Sequence, residues 1–276
     1  MLKRLPIITI IISISMLALS GCASDRLQNV STTNLYDLET LTAQNTPLPE
    51  GGGLSKIRLM ALKETATSIG AKGGLAWQSK KINESLVART NNLDQIFDFQ
   101  RLLLNHNVLP PVLVTGQQLL NIDGQDSIRI ADQTYKIEQQ ARFVTTAPTW
   151  QSYLMMNFKK PALPDQTLLP RDDAERKVWI KYVRKGWTQG VIQAKNIYAD
   201  NLARLKRDFN GMLLYQTLLN KNMVSKPYVA KSNMGVTSNS QDTQLYINDQ
   251  VLRITALPKL NPNSRSWKAV ATHEQQ

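Results

Sequence analysis

From Ser55 onward the apolar positions fall into a helical rhythm. Leu59, Leu62, Ala66, Ile69, Gly73 and Ala76 recur at steps of three and four, which puts them on one helix face with Ser55 as a plausible N-cap. Gly70, Gly73 and Gly74 stand inside this stretch, each costing about 1 kcal/mol relative to alanine. That cost predicts either close approach of another backbone or a break. A second helix is expected over about 91–105, with Leu93, Ile96, Phe97, Leu103 and Leu104 apolar, ended by Pro110 and Pro111. Ile128 and Ile130, then Tyr135 and Ile137, alternate with polar residues on either side of Ala131–Thr134, the pattern of an antiparallel hairpin turning there. A short helix follows near Trp150, with Pro148 in its first turn. No proline interrupts 172–222, which predicts one long helix, or two with a break at Asn210–Gly211. Gly186 and Gly190 lie one turn apart on it and again point to tight packing. A last hairpin is expected over 243–257, turning at Asn248–Asp249. The fold class read from these elements is α+β: a mainly helical single domain with one very long helix and two small antiparallel hairpins.

Ahead of Ser55 the rhythm disappears. Residues 23–54 are polar and end in Pro-Leu-Pro-Glu-Gly-Gly-Gly, the composition of a flexible tether whose ends lie about 30 Å apart; part of the stretch around Leu35 fits a short helical turn. The chain itself opens with Lys3 and Arg4 and then the apolar run Leu5–Leu19. That run is shorter than the roughly 20 residues a bilayer span needs and has the form of a secretory signal peptide. It stops at Leu19-Ser20-Gly21-Cys22, which resembles the bacterial lipobox. In such signals the cysteine sulfur takes a diacylglyceryl group and the peptidase cuts before it, so Cys22 is the expected lipidation site and Leu19, Ser20 and Gly21 the recognition residues. Ala23 follows, not the aspartate that resembles an inner-membrane retention signal, which favours the outer membrane. The expected organisation is a signal peptide over 1–21, a tether over 22–54, a folded domain over 55–262 and a polar, mobile tail over 263–276.

Cys22 is the only cysteine, so the chain is expected to fold in an oxidising compartment without disulfides. Loss of Lys3 and Arg4 with the first 21 residues takes the net charge from +12 to +10. The basic residues are dispersed, which reads as a solvated surface with a positive excess. Chemistry is sparse. Two histidines, His106 and His273, and one cysteine destined for lipid cannot build a histidine- or thiolate-rich metal centre. No Gly-x-Ser-x-Gly accompanies His106, whose place at a helix end suits contact with the last carbonyls. Asp94 and Asp98 are spaced to share a helix face, so a paired-carboxylate hydrolase is formally possible; near a helix start such charges are also simply favourable, as Asp172, Asp173 and Glu175 are at the start of the long helix. Trp150, Tyr153, Trp179, Tyr182 and Trp187 interleave with Lys177, Lys181, Arg184 and Lys185. Either the rings stack on single-stranded nucleic acid, or they face the core while the charges face water. No catalytic residue, metal or cofactor is expected.

Several blocks together resemble the DotC family. They are KIRLMALKETATSIGAKGGLAW (56–77), NLDQIFDFQRLLLNHNVLPPVL (92–113), SIRIADQTYKI (127–137), ARFVTTAPTWQSYLMM (141–156), GWTQGVIQAKNIYADNLARLKRDFNGMLLY (186–215), NMVSKPYVAKSNMGVT (222–237) and VLRITALPKLN (251–261). The resemblance runs in order over about 55–262, behind the lipobox. It implies a non-enzymatic outer-membrane lipoprotein of a type IVB secretion system, either a Dot/Icm effector-delivery machine or the related conjugation system of IncI-type plasmids. It further implies a DotD-like lipoprotein and a DotH-like secretin-type protein as partners, multiple copies in a ring complex, and no direct small-molecule substrate. The short stretch after the last block points to the conjugative branch. The rival readings are a lipid-anchored peptidoglycan hydrolase resting on Asp94 and Asp98, and a glycan- or nucleic-acid-binding lipoprotein resting on the charge.

Overall fold

The computed structural model describes residues 32–43, 55–122 and 128–268. Among these are the helices α1 (Leu35–Glu39), α2 (Lys56–Val87), α3 (Thr90–Ile96), α4 (Trp150–Leu154) and α5 (Asp173–Asn220). The strands are β1 (Val108–Leu109), β2 (Val112–Ile122), β3 (Ile128–Gln139), β4 (Arg142–Phe143), β5 (Tyr228–Ser238) and β6 (Leu245–Ala256). They pair as three antiparallel two-stranded sheets, β1 with β4, β2 with β3 and β5 with β6. The α+β architecture read from the sequence is thus observed, with one small sheet beyond the two expected hairpins.

Helix α5 is continuous through Asn210–Gly211, so the break considered there does not occur. Its 48 residues run roughly 70 Å at 1.5 Å per residue. The start is fixed by Asp172, whose carboxylate accepts the Glu175 backbone N–H at 2.7 Å, an N-cap bond. The end is fixed by Asn222 in the left-handed region, with Met223 N–H returning to the Leu218 carbonyl at 2.9 Å, a closure that frees the chain to leave the helix.

Helix α2 packs along the first two thirds of α5 in the same direction. Arg58 meets Glu175 near their starts, Ala71 faces Gly190 midway, and Leu86 shares a buried cluster with Leu205. Parallel neighbours require a long return connection, and residues 88–172 supply it. Contact between the two helices is backbone on backbone. A methyl group on Gly186 or Gly190 would overlap the carbonyl oxygens of Thr67 and Ala71; one on Gly70 or Gly74 would overlap those of Val183 and Trp187. Gly70 and Gly74 on α2 thus share one seam with Gly186 and Gly190 on α5, each against the partner helix's backbone, whereas Gly73 faces Leu38, the Thr32 carbonyl and the Trp187 ring.

Three further expectations change. The helix expected over 91–105 ends at Ile96, after which 3₁₀ turns at Gln100–Leu102 and Asn105–Asn107 carry Phe99 and Leu102 into the core. The hairpin turn expected at Ala131–Thr134 lies inside β3, which pairs along its length with β2; residues 123–127, between the two strands, lie outside the described residues. Likewise the turn expected at Asn248–Asp249 lies within β6, whose partner is β5. Asn248 does have the positive φ of a turn residue, but it is the extra residue of a register shift, between Ile247, which pairs with Val236, and Asp249, which pairs with Gly235, itself at positive φ. Asparagine accommodates a bulge as readily as a turn, and the sequence cannot tell them apart.

The stretch read as tether is ordered in part. Over 32–43 it lies against the helix pair, with Leu38 and Leu41 buried in one cluster with Leu62, Ala66, Trp179 and Val183. The Trp179 indole N–H donates to the Leu38 carbonyl at 2.8 Å. Beyond Pro262, a 3₁₀ turn at Ser264–Ser266 and a 2.9 Å bond from Lys268 N–H to the Lys221 carbonyl hold residues 263–268 to the end of α5; residues 269–276, with His273, lie outside the described residues.

Candidate assembly surfaces

The residues expected to carry the lipid, Cys22 with Leu19, Ser20 and Gly21, and the sorting residue Ala23, lie outside the described residues. The remaining candidates can be placed. Asp94 is in α3 and accepts the Trp150 indole N–H at 2.6 Å. Asp98 lies beyond the end of that helix, accepts the Gln100 backbone N–H at 3.0 Å and pairs with Arg101 at 2.8 Å. The two carboxylates thus do not share a helix face, and each is occupied with a local structural bond. Replacing both with Asn keeps an acceptor on each and removes one exposed ion pair, so stability is expected to fall by no more than about 1 kcal/mol. Thermal unfolding of the double variant checks this. A wild-type chain that digests purified peptidoglycan while the folded double variant does not would restore the catalytic pair.

The aromatic and basic residues separate as the core reading required. Trp150, Trp179 and Trp187 are buried, Tyr153 and Tyr182 half-buried, while Lys177, Lys181, Arg184 and Lys185 face solvent. His106 sits in the second 3₁₀ turn at positive φ, beside Leu103, Leu104, Val108 and the Lys226–Pro227 corner, away from any α-helix end. Among the described residues no cluster of His, Cys, Asp or Glu could hold a metal ion.

Glu175 was legible only as a first-turn acid, and its environment is more demanding. The side chain is 2 % exposed and accepts from Arg58 Nε and Nη2, each at 3.0 Å, and from Arg171 Nη2 and backbone N–H, each at 2.9 Å. Burial pushes its pKa up, but the bonds from Arg58 and Arg171 outweigh burial and hold it at about 2. Arg58 also donates to the Thr167 and Leu169 carbonyls. One carboxylate therefore ties the start of α2, the start of α5 and the strap before it into a single corner.

At the opposite end α5 overhangs α2, and there the two long ribbons are rooted. Gly211 lets β2 cross the helix, since a methyl group on it would meet the Val112 side chain and the Leu113 backbone. One turn earlier, buried Asp208 accepts from Arg207, from the Tyr153 hydroxyl at 3.1 Å and from Gln139 at the end of β3. Burial, then the Asp208 charge, push Tyr153 up to about 12, so its phenol remains a donor. The β5–β6 root is held by bonds between Ser225 and Lys259 and by Tyr215, which donates to the Ser225 carbonyl at 3.3 Å. Sequence reasoning missed Asp208, whose neighbours Lys206 and Arg207 gave the only signal: an acid inside a basic run.

Beyond its root the β5–β6 ribbon is solvated on both faces. Ile128 and Ile130 are exposed on β3, and Val236, Leu245 and Ile247 on β5–β6. Two-stranded ribbons of this kind are marginal alone, and clustered exposed apolar side chains mark interaction surfaces. The described residues include no helix long and apolar enough to cross a membrane.

Compared with known families, residues 56–269 match T4SS_TraI, described as type IV secretory system, conjugal DNA-protein transfer. The match starts at the first residue of α2 and takes in both ribbons. No curated protein matches the chain.

Proposed function

Because this chain belongs to the T4SS_TraI family of type IV secretory systems for conjugal DNA–protein transfer, we propose that it is a structural lipoprotein of the secretion core complex. In this reading the lipid is carried on Cys22, after cleavage guided by Leu19, Ser20 and Gly21. The acyl chains hold the folded body on the periplasmic side of the outer membrane, since two or three of them anchor securely where one does not. A DotD-like lipoprotein and a DotH-like secretin-type protein are its partners. The chain helps place the DotH-like protein at the outer membrane, in multiple copies within a ring.

The observation that carries the scaffold reading is the far end of α5. Gly211 and Asp208 root the β2–β3 ribbon and Tyr215 helps to root β5–β6, whose outer half stands exposed among the described residues. A scaffold gains from such arms, and a solitary domain does not.

The anchor is tested through Cys22→Ser. The expected result is an uncleaved precursor that takes up no labelled palmitate and is lost from the outer-membrane fraction. Equal palmitate labelling of wild type and variant would overturn lipidation at this position.

A further inference from the structure

Residues 32–43 are held to the helix pair from end to end. Thr32 is buried, and a methyl group on Gly73 would come within 2.7 Å of both its carbonyl and the Leu38 side chain. Leu38 and Leu41 are 0 % and 3 % exposed, and the Leu38 carbonyl accepts the Trp179 indole N–H. Glu39 accepts from Arg184 Nε and Nη2 at 2.7 and 3.1 Å. Ala43 N–H donates to the Pro170 carbonyl at 2.9 Å. The segment thus runs from beside Gly73 and Trp187 back to the residues just before α5. The Arg184–Glu39 pair is partly exposed and contributes little; the two buried leucines carry the docking.

This strap changes where the N-terminal stretch leaves the folded body. Without it, that stretch would depart from Ser55, at the start of α2. With it, the point of departure is Thr32, beside Gly73, roughly 25 Å along α2 at 1.5 Å per residue. The reach changes as well. Fully extended, the chain from Cys22 to Ser55 spans at most about 115 Å, but from Cys22 to Thr32 at most about 35 Å. The strap also accounts for Gly73, the one glycine of its group whose nearest neighbours are Thr32 and Leu38 instead of the backbone of α5.

We infer that residues 32–43 are a membrane-positioning strap. Docked on the helix pair, they hold the region around Gly73 and Trp187 within about 35 Å of the lipid surface, and leave residues 44–54 no part in setting that distance. The partner is the lipid surface itself, reached through acylated Cys22, so the inference rests on the lipidation part of the proposed function.

The test uses the lipidated full-length chain in vesicles that carry acceptor-labelled lipids. A donor dye is attached through Lys72→Cys, on the exposed side of α2; Cys22, the only native cysteine, is blocked once acylated. Twenty Gly/Ser residues are inserted either between Gln28 and Asn29 or between Thr46 and Pro47. The first insertion raises the maximal reach from about 35 Å to about 100 Å, so energy transfer to the lipids should fall. The second should leave it unchanged. Leu38→Asp, which undocks the strap, should lower energy transfer and make the second insertion count. Equal effects of the two insertions in the otherwise wild-type chain would overturn the strap. A chain that does not float with the vesicles would sink lipidation at Cys22, and the strap's role with it.

Discussion

Gly190→Leu is expected to unfold the domain or leave it unable to assemble. The first carbon of the new side chain would already overlap the Ala71 carbonyl and the Leu75 backbone nitrogen. Neither helix can give way locally, because Gly186, Gly70 and Gly74 hold the same separation on either side. Overpacking costs about 1–3 kcal/mol where side chains can adjust; here the obstacle is backbone, so the loss should reach the top of that range or exceed it. Leucine is a better helix former than glycine, which makes propensity work in the opposite direction. Gly190→Ala is the milder form, expected to lower the melting temperature by roughly 5–10 °C at about 2–4 °C per kcal/mol for a domain of this size. Lys72→Gln, on the exposed side of α2, should be near neutral. Gly73→Leu differs in kind. Its obstacles are the Leu38 side chain, the Thr32 carbonyl and the Trp187 ring, so it should displace the 32–43 segment before it parts the helices. A Gly190→Leu domain that melts at or above the wild-type temperature would show that the close approach does not exist.

Glu175→Ala is expected to cost about 3–5 kcal/mol, the usual loss when one partner of a buried ion cluster is removed. Arg58 and Arg171 would be left facing each other at 16 % and 18 % exposure, with the Arg171 backbone N–H unpaired. Urea unfolding at neutral pH measures this. The same carboxylate gives a pH dependence of definite sign. Its folded pKa of about 2 lies below its ordinary 4.5, so its stabilisation is complete above 4.5 and is lost as pH falls from there towards 2. Glu175→Gln should therefore flatten part of the acid limb of the stability curve. Identical acid limbs for wild type and Glu175→Gln would remove the carboxylate from that role.

What the sequence made legible follows from how strongly each element is constrained by burial. The two helices that bury a face against each other, α2 and α5, announce themselves by apolar spacing and by glycines one turn apart. The ribbons do not. Ala131–Thr134 and Asn248–Asp249 sit in strands wetted on both sides, where nothing enforces alternation, and turn-forming residues are tolerated in mid-strand. That is why both hairpins were centred wrongly and β2 was missed altogether. The 32–43 segment hid for a different reason. Leu35, Leu38 and Leu41 have the spacing of a buried face, but they stand in polar surroundings and their partner Trp179 is more than a hundred residues away. Glu175 looked like an ordinary helix-start acid because Arg58 reaches it from the other helix. The pair Asp94 and Asp98 fails as a constellation because a helix expected to run to 105 stops at Ile96.

The most direct measurement is purification of a tagged full-length chain from outer membranes, alongside deletion of the chain. The prediction is that a DotD-like lipoprotein and a DotH-like secretin-type protein co-elute with it. Deletion should release the DotH-like protein from the outer membrane and abolish conjugal transfer, and the wild-type chain should restore both. A tagged chain that elutes alone, together with a deletion strain that keeps its DotH-like protein in the outer membrane and transfers normally, would contradict the scaffold role.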